Sequence, residues 1–160
     1  MTKDKVPITS AIRFLRGHYA DFRERPYKYE EKGGTKVSAR ELGVDEHMVI
    51  KTLVMEDDRK SPLIVLMHGD KEVSTKELAR LIGVRSVSPC TPETALKHTG
   101  YRMGGISPFG TRKPLPIYVE ESILSLPRLY INAGRRGLLC EISPSDLVKV
   151  LNPVAVNAAR

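Results

Sequence analysis

The chain has 160 residues, 41% of them hydrophobic, and carries 26 Lys and Arg against 19 Asp and Glu, a formal net charge of +7. That size suits one domain with one core over residues 1–160, and no apolar run approaches the roughly 20 residues that a membrane span needs. The positive excess favours polyanionic partners, but the basic residues are spread along the chain, which predicts a folded basic face rather than a disordered arm.

The charged start, Met1 to Lys5, is followed by no apolar stretch of signal-peptide type, so a cytoplasmic protein is expected, frayed over residues 1–7. Thr9 or Ser10 can cap a helix that carries Ile12, Phe14, Leu15 and Tyr19. Phe22 to Glu30 alternates charged and larger residues and reads as a strand. Lys32-Gly33-Gly34 reads as a turn, and Ser38 as the start of a short helix over 39–42 that Gly43 stops. Asp45 can cap a further turn. Lys51 to Met55 and Leu63 to Met67 are β-type runs on either side of a polar turn and predict a hairpin. Ser74 stands three residues before Glu77, the spacing of a capping box, ahead of a helix that Gly83 ends. A short strand over 84–88 is followed by Thr91-Pro92-Glu93, a helix start with Pro in the first turn, and that helix ends near Gly100.

Residues 101–116 are rich in glycine and proline and lack periodicity. Compact domains rarely keep so long a loop without a use for it. Ile117 to Val119 resumes a strand and Ser122 to Leu126 forms a short helix. Leu129 to Asn132 and Leu138 to Ile142 make a second hairpin, and Ser143 opens a last helix that ends near Leu151. Helices mixed with two hairpins predict an α+β fold: a mixed sheet with helices packed around it.

Four kinds of chemistry can be weighed. His18, His47, His68 and His98 stand alone in sequence, and Cys90 and Cys140 form no C-x-x-C, so no metal site, cofactor or disulfide framework is expected. The run Gly104 to Gly110 has neither P-loop nor dinucleotide-binding spacing. Gly105-Ile106-Ser107 suggests a serine nucleophile, but the residue after the serine must donate its N–H to an oxyanion, and Pro108 has none. The loop can still serve as a carbonyl cradle, since Gly104 and Gly105 allow close approach and N–H groups from Gly104 to Ser107 can converge. Lys51, at the start of an apolar strand, is either a snorkelling end residue or a cation facing a cleft.

Three separated blocks carry a likeness to a known family. Gly43 to Leu53 around Lys51, Thr99 to Gly110, and Gly134-Arg135-Arg136-Gly137-Leu138 resemble the signature blocks of the YbaK/EbsC family of stand-alone aminoacyl-tRNA deacylases, related to the editing domain of prolyl-tRNA synthetase. The resemblance covers nearly the whole chain. It implies a mixed, mainly antiparallel, barrel-like sheet with surrounding helices, and removal of cysteine or alanine wrongly attached to the tRNA for proline.

It also implies Lys51 as the essential residue, and the loop Gly104, Gly105, Ile106, Ser107 and Pro108 as the cradle for the aminoacyl carbonyl. Tyr29, or Tyr27 in an alternative register, would line the pocket. Tyr101, Phe109, Gly134 and Leu139, within or beside the matched blocks, are further candidate pocket residues. Leu139 departs from the aspartate usual in cysteine-directed members, which leaves the amino acid open. Arg112, Lys113, Arg135 and Arg136 are candidate tRNA contacts, with aminoacyl-tRNA as the implied substrate and prolyl-tRNA synthetase as a candidate partner. Two other readings stay open, a non-catalytic adaptor of the same fold and an esterase that uses Ser107.

Overall fold

The computed structural model describes residues 6–160; most of the predicted fray, residues 1–5, lies outside them. Helix α1 spans Ser10–Gly17, with the Thr9 hydroxyl accepting the Ile12 N–H at 3.1 Å, and buries Ala11, Ile12 and Leu15. Tyr19 is not on its face: the helix ends at Gly17, and Tyr19 takes a φ of 55° and stands 90% exposed. Gly17 has nothing within 4 Å of where a Cβ would stand, and its φ is not positive. Gly17→Ala is therefore expected to stabilise the chain by about 0.4–1 kcal/mol, read by thermal or denaturant unfolding, mainly by restricting the unfolded chain.

Strand β1 covers only Phe22–Pro26, not the longer run expected to Glu30. Proline supplies no N–H, and the next one, on Tyr27, donates to Gly137 O at 2.9 Å. Helix α2 spans Gly34–Leu42 and starts earlier than expected. Ser38 lies inside it, its hydroxyl donating to Thr35 O at 3.1 Å, and Gly43 closes it at φ 68°. A 3-10 turn at Glu46–Met48, capped by Asp45, leads into β2 (Val49–Asp57), which pairs antiparallel with β3 (Pro62–His68) as the predicted hairpin.

Ser74 caps α3 (Thr75–Ile82) by accepting the Glu77 N–H, but only half the capping box forms. The Glu77 carboxylate turns to Arg80, and the Ser74 N–H goes to Ala158 O at 2.8 Å. Strand β4 is Val87–Pro89, and α4 is Pro92–Thr99, capped by Thr91 and ended by Gly100. Residues 101–116 hold no helix or strand. Strand β5 (Ile117–Glu120), a 3-10 turn (Glu121–Ser125), β6 (Leu129–Arg135), β7 (Leu138–Ile142) and α5 (Pro144–Leu151) follow as expected in kind and order. Strand β8, Val154–Val156, has no counterpart among the predicted elements.

The strands join in one sheet of order β1-β7-β6-β2-β3-β5-β8, with β4 also on β2. The pairs β1–β7, β2–β3, β2–β4 and β6–β7 are antiparallel; β2–β6, β3–β5 and β5–β8 are parallel. The sheet is mixed as predicted, and its path ends at β1 and β8 instead of closing. Central strand β3 shows why the two faces differ in partner. Ile64 and Leu66 pack with Ile12, Leu15 and Phe109, while Leu63, Val65 and Met67 pack with Leu78 and Val156. Both faces are covered, so β3 reads as a continuous apolar run.

One edge of β2 changes partner midway. Pairing with β6 stops at Ile50 and pairing with β4 starts at Met55. The Val54 carbonyl turns to this edge, where it accepts the Cys90 N–H at 3.0 Å. Strand alternation therefore turns the N–H and C=O of Thr52 to the same edge, inside the gap.

Candidate active site

The gap in the sheet opens into a cavity of about 470 Å³. Lys51, Thr52, Leu53, Val54 and Met55 of β2 form one wall, Cys90 and Ala95 another, and Met103 and Ile106 of the long loop close it. Lys51 and the loop, about a third of the chain apart in sequence, thus meet at one opening. Lys51 is half-buried, and among the described residues no carboxylate pairs with its ammonium. Of the two readings of Lys51, a cation facing a cleft is the one this geometry supports. Thr52 adds a buried hydroxyl with no hydrogen-bond partner among the described residues.

The loop enters the site through a tight turn. The Gly105 N–H donates to Arg102 O at 2.9 Å, and Gly104, third of the four residues, has φ 89°. That is the type II pattern, which selects glycine at this place. Gly105 is needed for a different reason. A Cβ there would lie 2.9 Å from Arg136 N and 3.0 Å from Arg135 C, so the loop backbone rests directly on the β6–β7 hairpin. The Gly105 N–H is spent in the turn and drops out of the predicted cradle. Within the described residues, the N–H groups of Gly104, Ile106 and Ser107 enter none of the backbone or side-chain hydrogen bonds.

The hairpin grips the loop. Asn132 Nδ2 donates to Gly104 O at 3.0 Å, while its Oδ1 accepts the N–H groups of Gly134 (2.7 Å) and Arg135 (3.2 Å). Arg136 Nε donates to Met103 O at 2.9 Å, and its guanidinium lies over the Tyr29 ring, 5.4 Å from the centroid. Tyr29 also reaches the turn, since its hydroxyl would be 2.8 Å from a Cβ on Gly104. Tyr29, not Tyr27, is the tyrosine beside the loop, but neither lines the cavity as expected; Tyr27 packs against the cluster that holds Leu139.

Other predicted site residues have structural work. Ser107 is fully buried and its Oγ accepts the Phe109 N–H at 3.2 Å, so it presents no surface for attack. Phe109 is fully buried in the core, 6.3 Å from the Phe14 ring, and cannot touch a ligand in the cavity. Tyr101 is a brace: burial pushes its phenol up to about 12, and the hydroxyl donates to Phe109 O at 2.6 Å. Gly134, at φ 96°, leaves room for the Tyr101 ring, 2.8 Å from where its Cβ would be. Leu139 is buried with Ala39, Val49 and Tyr130 and does not line the cavity. Arg112, Lys113 and Arg135 are exposed; the Lys113 ammonium lies 3.4 Å from His98 Nδ1.

The histidines do not stand alone in space. His47 and His68 stack at 3.7 Å, and His47, His68 and Asp70 bring three potential ligand atoms within 4.8 Å of one another. Both His68 nitrogens are occupied, by His47 O and Ser122 Oγ at 2.7 Å each, and His47 Nδ1 is 2.8 Å from Asp70. A metal would have to displace those partners.

Sequence reasoning missed Asn132, Thr52 and Cys90. Burial, then the charge of Glu56, pushes the Cys90 thiol up to about 11, which keeps it protonated at neutral pH and rules it out as a ready nucleophile. Cys90→Ala is expected to keep most of whatever activity the cavity supports, measured as the initial rate with the preferred substrate.

A cleft at an open strand edge, a half-buried lysine with no carboxylate partner among the described residues, and the glycine turn of the long loop come together here, with Lys76 and Arg160 also on the cavity lining. The model of the aminoacyl-tRNA editing domain matches residues 30–150, and the chain belongs to that family. It is 28% identical over 145 residues to EbsC of Enterococcus faecalis (strain ATCC 700802 / V583), covering 90% of this chain and 88% of that one. That protein bears the provisional name Cys-tRNA(Pro)/Cys-tRNA(Cys) deacylase. A proline–tRNA ligase of Thermodesulfovibrio yellowstonii (strain ATCC 51303 / DSM 11347 / YP87) is 38% identical over 80 residues, half of this chain and 14% of the ligase. The fold matches, at 23% identity and a TM-score of 0.83, a crystal structure described as a trans-editing enzyme candidate for prolyl tRNA synthetase, over 97% of this chain and 99% of that one. No helix among the described residues is long and apolar enough to cross a membrane.

Proposed function

We propose that this chain is a trans-acting aminoacyl-tRNA deacylase that removes a wrongly attached amino acid, of cysteine or alanine type, from the tRNA for proline or a related tRNA. The observation that carries this reading is the cavity that Lys51 lines together with Met103 and Ile106, which flank the glycine pair of the long loop. Family membership and the name of the E. faecalis relative support it.

The aminoacyl ester is already activated, so positioning and charge stabilisation suffice. The N–H groups of Gly104 and Ile106 take the ester carbonyl oxygen as negative charge develops on it; the Ser107 N–H, in a fully buried residue, drops out of the cradle. The Lys51 ammonium holds the terminal ribose-phosphate, and the Thr52 carbonyl, on the open edge of β2, accepts the amino group of the aminoacyl moiety. Water attacks the carbonyl carbon, the ribose oxygen leaves and takes up a proton, and a free amino acid results. For a cysteinyl ester the substrate's own thiol can replace water: the C–S bond forms as the ribose oxygen leaves with the thiol proton, and a cyclic thioester results. Because Leu139 lies outside the cavity, amino acid choice passes from that position to the walls, where Leu53, Met55, Cys90 and Ala95 favour a small side chain. Arg135 and Arg112 meet the tRNA backbone, and prolyl-tRNA synthetase is the proposed partner for tRNA selection.

The test is a panel of aminoacyl-tRNAs, cysteinyl- and alanyl-tRNA(Pro) first, assayed for release of the amino acid. Release from one of these, with prolyl-tRNA(Pro) spared, is expected. Binding of the tRNAs with no release from any of them leaves the adaptor reading instead.

A further inference from the structure

Two side chains from the β6–β7 hairpin hold consecutive carbonyls of the Arg102–Gly105 turn: Arg136 takes Met103 O and Asn132 takes Gly104 O. A trans peptide sets its N–H opposite its C=O. Pulling Met103 O toward the hairpin therefore sends the Gly104 N–H away from it. The same pull on Gly104 O sends the Gly105 N–H to Arg102 O, its recorded acceptor.

A turn with glycine in third place is not self-locking. Glycine takes positive and negative φ about equally, so the central Met103–Gly104 peptide can flip. A flip replaces an N–H donor with a carbonyl lone pair at the same spot, turning stabilisation of a developing oxyanion into repulsion. The Arg136 anchor on Met103 O opposes that flip directly, and the Asn132 anchor on Gly104 O holds the next peptide, whose N–H closes the turn on Arg102 O. Each anchor is itself held: Asn132 Oδ1 by the Gly134 and Arg135 N–H groups, where the β6 register shifts, and Arg136 by the Tyr29 ring.

The geometry points to Arg136 and Asn132 as positioning residues: Arg136 locks the Met103–Gly104 peptide in the donor-out orientation, and Asn132 keeps closed the turn that this orientation needs. The catalytic consequence rests on the deacylase reading above; the conformational claim does not. Arg136, expected from sequence as a tRNA contact, thereby acquires a role inside the protein.

Two conservative variants separate this role from simple support. Asn132→Asp keeps the acceptor for the Gly134 and Arg135 N–H groups but cannot donate to Gly104 O. Arg136→Lys keeps the charge but loses the planar Nε–H and the stacked guanidinium. Each is expected to lower kcat for deacylation about tenfold to a hundredfold with KM for the aminoacyl-tRNA nearly unchanged, and with little change in Tm. In ¹⁵N relaxation-dispersion spectra, Gly104 and Gly105 are expected to gain microsecond-to-millisecond exchange in both variants and to lack it in the wild-type chain. Flat Gly104 and Gly105 profiles in both variants overturn the proposal, as does a raised, salt-sensitive KM with kcat unchanged, which would make Arg136 a tRNA contact only. A wild-type chain that releases no amino acid overturns the deacylase reading instead, and the relaxation profiles still decide the lock.

Discussion

Lys51→Ala is expected to slow release of the amino acid about a hundredfold in single-turnover kinetics, while leaving the fold nearly as stable as before. The two halves of that expectation come from the same surroundings. Lys51 sits in β2 opposite Met67, half-buried at the mouth of the cavity, with no carboxylate partner among the described residues. Removing it breaks no ion pair there, so the stability change should stay within about 0.5 kcal/mol. The substrate, by contrast, loses a cation in a partly desolvated cleft, where a charge contact is worth more than at the open surface. Lys51→Arg is the informative companion. It keeps the charge but spreads it over a larger planar group, so binding should survive better than the rate. An alanine variant with the wild-type rate would remove Lys51 from the mechanism.

Gly105→Ala is expected to combine loss of activity with a destabilisation of about 1–3 kcal/mol, read by denaturant unfolding and by the same kinetic assay. The new methyl would lie 2.9 Å from Arg136 N, 3.0 Å from Arg135 C and 3.1 Å from Arg135 Cα. These are backbone atoms of a hairpin, which cannot swing aside as a side-chain tip can. The loop has to lift away, and lifting it stretches the bonds from Asn132 and Arg136 to the turn. A rate fall of about a hundredfold is expected, as for loss of an oxyanion donor. Gly17→Ala, which meets open space, is the matched control. A Gly105→Ala chain as stable and as fast as wild type would mean that loop and hairpin do not touch in solution as described.

Much of the fold was legible because local signals agreed with tertiary structure. Ser74, Thr91 and Ser143 each precede a helix and each cap it with a side-chain oxygen. The hairpins announced themselves through apolar runs flanking polar turns. The errors fall where tertiary contacts overrule local chemistry. Gly33-Gly34 reads as a turn, yet α2 starts there, with the Thr35 hydroxyl of its first turn donating to Glu46 Oε2 and to Gly69 O, far along the chain. Strand β8 is three residues after Pro153 and pairs in parallel with β5, far back in the sequence, so no hairpin signal marks it. At the site, the loop and Lys51 stood out by composition and by resemblance. Asn132 did not, because an Asn at the end of a strand run looks like any turn residue. The signal was there in Asn-Ala-Gly, a short polar side chain before a glycine, which suits a bulge held by side chain to backbone bonds. Leu139 misled for the opposite reason: its place in a matched block suggested the pocket, while its alternation along β7 turns it toward Ala39 and Val49.

The contact of loop and hairpin also bears on how this site could be moved or inherited. The Arg102–Gly105 turn owes its shape to Asn132 and Arg136, about thirty residues further along. A graft of residues 101–110 alone onto another scaffold would carry the glycines without the clamp that orients them, and should arrive as a floppy segment. The portable unit is discontinuous: the turn together with β6, β7 and their bulge. Exchange of parts between relatives would have to trade both pieces at once, which makes this loop a poor candidate for piecemeal swapping and the hairpin a hidden determinant of its chemistry.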